Sequence, residues 1–312
     1  MSGKPLMMPV DTPTVAKRHF TAFAMLSDYW ALTKPEVNFL ILITTFAGFY
    51  LGCADAGRPF SFLALSNTLL GTLLVASGTA TLNQYVERQF DAQMRRTSRR
   101  PLAAGRLEPA AVLAFGILLS VAGSIYLAIA AGMFASLLAL LTLLSYLFLY
   151  TPLKRKTPLC VLVGAFPGAM PPLIGWASAS GRLYMEAWLL YAIVFLWQFP
   201  HFMAIAWMYR EDYDRAGYLV LPKGNARVPV ATLETVLPLL VLVAVSMAQL
   251  PARHAAIFYC GGSVLSLGFL YCGLEFIRQR SRAAARRLLA ASIVYLPLVF
   301  ALSATLCDQA RT

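Results

Sequence analysis

The chain has 312 residues, 59% of them hydrophobic and only 13% charged, with 26 Lys and Arg against 14 Asp and Glu and a formal net charge of +12. Mean hydropathy is +0.66. Apolar runs recur at about 20 residues, the length that crosses a hydrocarbon core of about 30 Å, so the composition excludes a soluble domain and reads as an integral membrane protein.

The first 25 residues include Pro5, Pro9, Asp11 and Pro13 and contain no compact apolar core followed by a small-residue cleavage site. They read as a cytoplasmic tail rather than a secretory signal. We divide the chain into this tail, 1–30, and a single transmembrane domain, 31–312. Nine spans follow at 37–54, 60–82, 110–129, 132–151, 159–179, 188–208, 231–250, 255–274 and 288–307. The stretch from Pro109 to Leu153 carries no charge and is too long for one crossing, which places a tight break at Ala131-Gly132. The fold class expected is an all-α polytopic membrane bundle.

Orientation follows from the basic residues, which stay on the cytoplasmic side. With the N-terminus inside, 22 of the 26 Lys and Arg fall in inner segments and four (Arg58, Arg182, Arg253, Arg311) fall outside. The positive charge therefore reads as topology and as attraction for anionic lipid or substrate, not as nucleic-acid binding. Cys53, Cys160, Cys260, Cys272 and Cys307 are scattered through apolar spans without a C-x-x-C pair, as buried free thiols are.

Two inner connections are long, about 83–108 and 209–230, and both carry acids. In the first, Asn83, Glu87 and Asp91 are spaced i, i+4, i+8, so on a helix they form one polar stripe drifting about 40° per step. Arg95, Arg96, Arg99 and Arg100 follow at once. In the second lie Glu211, Asp212 and Asp214. The clusters follow the second and sixth spans, which suggests two four-helix halves facing a shared site. For the arginines alone, a solvated face that fixes topology is the simpler account. That account is weaker for the stripe, because acids do not help set topology and are costly beside hydrocarbon unless paired or metal-bound. For Glu211, Asp212 and Asp214 alone, the two accounts balance. Carboxylates among arginines suit a phosphorylated ligand. Mg²⁺ binds through one or two carboxylates plus substrate phosphates, and the planar Arg fork pairs with phosphate oxygens. There is no G-x-x-x-x-G-K-[ST], so no ATP-type phosphate loop is indicated.

These residues resemble the UbiA-type intramembrane prenyltransferases, whose first signature is N-x-x-x-D-x-x-x-D at the inner end of the second helix, and within them the heme-farnesylating branch. The resemblance runs almost end to end. It is carried by Leu32-Thr-Lys-Pro35, the stripe with Met94-x-Arg96-Thr97-x-x-Arg100-Pro101-Leu102-x-x-Gly105, Tyr150-Thr-Pro-Leu-Lys-Arg155-Lys-Thr157, Gly168-Ala-x-Pro-Pro172-Leu-x-Gly-Trp176, Trp197-Gln-Phe-Pro-His-Phe202 and Arg210-Glu-Asp-Tyr213-x-x-Ala-Gly217. The last two fragments are the ones specific to the heme branch. The middle acid of the stripe is Glu87 rather than Asp, and the second cluster is not D-x-x-x-D, since Met208 and Arg210 stand four before Asp212 and Asp214.

The resemblance implies Mg²⁺-dependent transfer of farnesyl from farnesyl diphosphate to a vinyl group of heme b, with addition of water. It implies catalytic and metal-ligating roles for Asn83, Glu87, Asp91 and, in the second cluster, Asp212. Arg88, Arg96, Arg100, Lys154 and Arg155 would take the diphosphate, and Trp197, Gln198 and His201 the heme. Tyr85, Tyr150 and Tyr213 could offer π faces to an allylic cation, although a lone tyrosine near a span end more often belongs to an interfacial belt. Eleven residues separate His201 from Asp212, so on one continuous helix they would share a face about 16 Å apart. Gly164 and Gly168 form a G-x-x-x-G that permits close helix contact. The setting implied is the bacterial inner membrane, with the lipid bilayer, a terminal oxidase subunit or heme A synthase as partners and no nucleic acid. The competing readings are a prenyltransferase for a quinone precursor, against which the Trp197–Phe202 fragment speaks, and a porphyrin or solute transporter, whose site belongs near the midplane. A CDP-alcohol phosphotransferase would show D-G-x-x-A-R, which the chain lacks.

The 22-to-4 asymmetry predicts that both acidic clusters face the cytoplasm. A single cysteine placed at Ser98 on a cysteine-free background should react with a membrane-impermeant thiol reagent only from the inner face; labelling only from the outer face would reverse the topology.

Overall fold

The computed structural model describes residues 22–248 and 255–309, without the side chains of 246–248, 255–260 and 305–309. The expected tail 1–30 is therefore described only from Ala22, and Lys4, Lys17, Arg18, Arg253 and Arg311, together with the Cys260 and Cys307 thiols, lie outside the described positions.

Ala22–Leu32 forms helix α1, which leaves Phe23, Leu26 and Trp30 exposed. Asp28 on α1 pairs with the Arg106 guanidinium at 2.9 Å, and the Leu32 carbonyl accepts from Gln84 Nε2 at 2.8 Å. Then follow α2 (Pro35–Asp55), α3 (Phe62–Asp91), α4 (Pro109–Ala130) and α5 (Met133–Leu144). Helix α5 runs through a π-helical turn, Ser145–Tyr150, into α6 (Thr151–Leu153). The second part comprises α7 (Cys160–Gly168), α8 (Pro171–Ser180), α9 (Met185–Met208), α10 (Arg210–Arg215), α11 (Arg227–Ala248), α12 (Ala255–Gln279) and α13 (Arg282–Gln309). No strand occurs among the described residues.

Among the described residues eight helical rods are long and apolar enough to cross a membrane, and each coincides with an expected span; α5 and α6 form one rod and α7 and α8 another. The remaining expected span, 255–274, is the 25-residue helix α12, which is not one of these eight. The turn expected at Ala131-Gly132 is present, with Gly132 at φ 104. The expected span 159–179 is split, because the α7 helix stops at Gly168 and Pro171 and Pro172 open α8. Proline lacks the N–H that would continue an earlier helix but suits a first turn.

Helix α3 packs chiefly on α4, α2 on α8, and α11 on α9 and α12, while α13 joins α9 to α2 and so closes the two parts into one bundle. Backbones meet directly between α2 and α8: a Cβ at Gly48 would lie 2.0 Å from the Pro172 carbonyl oxygen, and one at Gly175 2.0 Å from that of Thr45. The Gly164/Gly168 pair also marks close contact, against the Tyr150 ring and the Gln198 amide. Helix α3 is 30 residues long, and its C-terminal turns carry the acidic stripe into the mouth of the bundle.

Candidate active site

The stripe on α3 is buried although it is polar: Asn83 is 1% exposed, Glu87 6% and Asp91 2%. A carboxylate removed from water must find cationic or hydrogen-bonding partners, since burying it alone costs several kcal/mol. The partners come from several segments. Glu87 Oε1 accepts from Lys154 Nζ and from the Tyr218 hydroxyl, both at 2.9 Å, and Glu87 Oε2 accepts from Asn83 Nδ2 at 3.0 Å. Asn83 Nδ2 also reaches Thr151 Oγ1 at 3.3 Å, while Asn83 Oδ1 accepts from Lys34 Nζ at 3.1 Å. Asp91 Oδ2 accepts from Arg100 at 2.7 Å, and the Asp91 carbonyl accepts from Thr97 Oγ1 at 2.8 Å.

Lys34 reaches the stripe through an unusual backbone. It precedes Pro35, which disfavours the right-handed helical region for its neighbour, and it lies in the left-handed region at φ 52 and ψ 64. Burial, followed by the Arg100 charge, pushes its ammonium down to about 7. Lys154 behaves oppositely. Burial disfavours its charge, but the Glu87 carboxylate, together with Tyr150 and Tyr146, outweighs that and holds its pKa well above the ordinary value. Burial and the Glu87 charge both raise the Tyr218 phenol, which therefore remains a donor.

The second acidic cluster meets the first through one residue. Asp212, 7% exposed, accepts from the backbone N–H of Arg95 at 3.3 Å and of Arg96 at 3.2 Å, and pairs with Arg215. Its neighbours turn elsewhere: Asp214 pairs with Arg227, and the exposed Glu211 with Arg210 and Arg282. Arg96 also lies over the Tyr209 and Tyr213 rings, at 4.9 and 5.8 Å. The loop after α3 is thus tied at three points, to α1 through Arg106, to Asp91 through Thr97 and Arg100, and to Asp212. Leu219 N–H donating to the Lys154 carbonyl at 2.7 Å joins the remaining two segments.

Of the five expected diphosphate-binding residues, Arg96, Arg100 and Lys154 belong to this network. Arg88 folds back on its own helix, donating to the Tyr85 carbonyl at 2.7 Å and lying 4.5 Å from the Tyr85 ring, and Arg155 lies 4.1 Å from the Phe90 ring. Lys154 lies 4.5 Å from the Tyr150 ring and 5.9 Å from that of Tyr146. The π-helical turn holds those rings 5.0 Å apart.

The expected heme-binding residues divide between two faces of α9. Trp197 and His201 face α13: Trp197 Nε1 donates to the Ser292 carbonyl at 2.7 Å and His201 Nδ1 is 2.8 Å from Ser292 Oγ. Gln198 faces α7, donating to the Ala165 carbonyl at 3.1 Å. The continuous helix expected from His201 to Asp212 is interrupted. It ends at Met208, Tyr209 leaves helical geometry at φ −110 and ψ 21, and α10 begins at Arg210, so the single continuous helix on which the 16 Å one-face relation rests is absent.

Lys34, Thr151 and Tyr218 were not among the residues singled out from sequence. Lys34 and Thr151 fall within the quoted fragments Leu32–Pro35 and Tyr150–Thr157, and Tyr218 directly follows Arg210–Gly217, which is the signal that could have found them.

Among the described residues no three His, Cys, Asp or Glu side chains gather closely enough to hold a metal ion, so Asn83, Glu87, Asp91 and Asp212 do not form a ready-made cage. Their chemistry nevertheless fits Mg²⁺ brought in with a phosphorylated ligand. All offer hard oxygen donors, and Mg²⁺ usually takes few protein carboxylates and completes its shell with phosphate and water.

Residues 41–300 match the UbiA prenyltransferase family. The chain belongs to that family. It is 44% identical over 282 residues to the protoheme IX farnesyltransferase of Solibacter usitatus (strain Ellin6076), covering 88% of this chain and 97% of the relative. It is 38% identical to the protein of that name from Koribacter versatilis (strain Ellin345), covering 95% and 97%. In fold it is similar to a digeranylgeranylglyceryl phosphate synthase (TM-score 0.70, 15% identity, 91% of this chain and 99% of that one). It is also similar to a UbiA homolog from Archaeoglobus fulgidus bound to GPP and Mg²⁺ (TM-score 0.62, 15% identity, 88% and 99%). At those identities the likeness is one of fold.

Asp212 is the acceptor that docks the Arg-rich loop of this UbiA member, so Asp212→Ala should free two backbone N–H groups and loosen that loop. Trypsin should then cut at Arg95 or Arg96 earlier than in the parent protein in detergent; identical digestion kinetics would contradict the docking role.

Proposed function

We propose that this protein transfers the farnesyl group of farnesyl diphosphate to a vinyl group of heme b, with addition of water, giving heme O and diphosphate. The observation that carries this reading is the buried carboxylate and cation network at the mouth of the bundle, in a chain 44% identical to a protoheme IX farnesyltransferase along nearly its whole length. The heme-branch fragment Trp197–Phe202 lies within α9 of the same bundle. We place the mouth on the cytoplasmic side of a bacterial inner membrane, from the distribution of basic residues.

Lys34, Lys154, Arg96 and Arg100 are the cations that a diphosphate would meet. At present Lys154 and Arg100 neutralise Glu87 and Asp91, and Lys34 is held by the Asn83 amide oxygen. Mg²⁺, held by Asn83, Glu87, Asp91 and Asp212 together with substrate phosphate oxygens, would neutralise the leaving diphosphate. An arriving dianion favours the charged form of Lys34, whose pKa of about 7 leaves it able to gain a proton there. Lys154 and Arg100 would then donate to phosphate oxygens, stabilising the charge that grows as the allylic C–O bond breaks. Tyr146 and Tyr150, beside Lys154, offer ring faces to the allylic cation. The apolar bundle excludes water until the vinyl group has attacked. His201 and Trp197 would hold the tetrapyrrole against α13.

Expression of the chain in cells that make heme b, followed by pigment extraction, should yield a heme heavier and more apolar than heme b. Glu87→Ala and Asp91→Ala should each lower that yield on the order of 10²–10³-fold at normal protein abundance. Parent-level product from either variant would remove the stripe from the mechanism, and no new pigment from the parent chain would refute heme as the acceptor.

A further inference from the structure

Ser292, on α13, has no exposed surface and makes three contacts. Its carbonyl accepts from Trp197 Nε1, its hydroxyl oxygen is 2.8 Å from His201 Nδ1, and the same hydroxyl is 2.6 Å from the Leu289 carbonyl oxygen. A hydroxyl carries one proton, and a carbonyl oxygen can only accept. The short contact to Leu289 takes that proton, as serine hydroxyls in helices commonly do with the preceding turn. The contact with His201 is then a hydrogen bond only if Nδ1 carries the proton and donates it to Ser292 Oγ. A neutral imidazole protonated at Nδ1 has its lone pair on Nε2.

Among the described residues none is hydrogen-bonded to Nε2, and that atom is not one of the fully buried polar atoms left without a partner. The ring plane is also fixed, since Trp197 stacks on His201 with centroids 4.7 Å apart and planes 27° from parallel. Histidines that ligate a metal almost always donate their other N–H to a carboxylate, a backbone carbonyl or water, which sets tautomer and orientation, and here the Ser292 oxygen stands in that place.

We infer that Ser292 is a positioning residue that holds His201 as the Nδ1–H tautomer and so presents Nε2 as a ligand for the iron of the heme substrate. This rests on the reading of His201 as heme-binding. Ser292→Ala removes the hydroxyl but keeps the carbonyl that anchors Trp197, so the α9–α13 contact survives, and Ser292→Thr keeps the hydroxyl.

The full-length protein in detergent is titrated with ferric heme b, following Soret absorbance and the electron paramagnetic signature of axial nitrogen ligation. His201→Ala should abolish that signature. Ser292→Ala should weaken heme binding about 10-fold and give a mixed ligation spectrum, with the KM for farnesyl diphosphate unchanged, and Ser292→Thr should restore the parent spectrum. If His201→Ala loses the signature while Ser292→Ala keeps parent affinity and spectrum, the role of Ser292 is overturned and that of His201 stands. If Ser292→Thr, folded as the parent by thermal melting, behaves like Ser292→Ala, the hydroxyl is not what sets the tautomer. If His201→Ala itself binds heme as the parent does, both readings fall.

Discussion

Glu87 is an acid held 6% exposed at the mouth of a membrane bundle, and its burial constrains much of what surrounds it. Removing a carboxylate from water costs several kcal/mol unless its lone pairs are filled. The filling comes from Lys154 beyond α6, Tyr218 beyond α10 and Asn83 one turn back on α3. The same demand brings Lys34 to Asn83, Arg100 to Asp91 and the Arg95–Arg96 backbone to Asp212. The mouth is therefore a closed set of charge pairs that joins the α3 loop, the α6 end and the α10 segment.

Such a set is stable without ligand and yet prepared for one. If Lys154 or Arg100 exchanges its carboxylate for a phosphate oxygen, one charge-assisted hydrogen bond replaces another, whereas removing a partner without replacement leaves a buried charge alone. In the proposed reaction a diphosphate would enter a network whose cationic donors are already gathered at the mouth, which shortens the rearrangement needed to stabilise a leaving group. In the proposed reaction the apolar reactant would lie toward the membrane, where α9 and α13 bring together Trp197, His201 and Ser292. The two ends of the reaction are thus assigned to different helices of one bundle, and α13 links them by packing on both α2 and α9.

The spans and the Asn83–Glu87–Asp91 stripe were legible in the sequence because both are periodic: hydrophobic length sets a span, and a spacing of four residues sets a helix face. Lys34, Thr151 and Tyr218 were not legible, because their roles depend on contacts 49, 68 and 131 residues away in sequence. The break at Tyr209 has no proline or glycine at that point to mark it, and it removes the continuous helix on which the expected alignment of His201 with Asp212 rested. The π-helical turn at Ser145–Tyr150 is likewise silent in an apolar run, yet it sets the register of Tyr146 and Tyr150 beside Lys154. The split between α7 and α8, by contrast, is written in Pro171 and Pro172.

That the paired acids and bases of the mouth form a diphosphate site completed by a divalent cation is tested most directly by binding of a non-reactive farnesyl thiodiphosphate to the purified protein, measured calorimetrically with and without Mg²⁺. Tight binding that requires Mg²⁺ in the parent, and that loses its Mg²⁺ dependence in Glu87→Gln, is the predicted result. Equal affinity in the presence and absence of Mg²⁺ in the parent protein would contradict it.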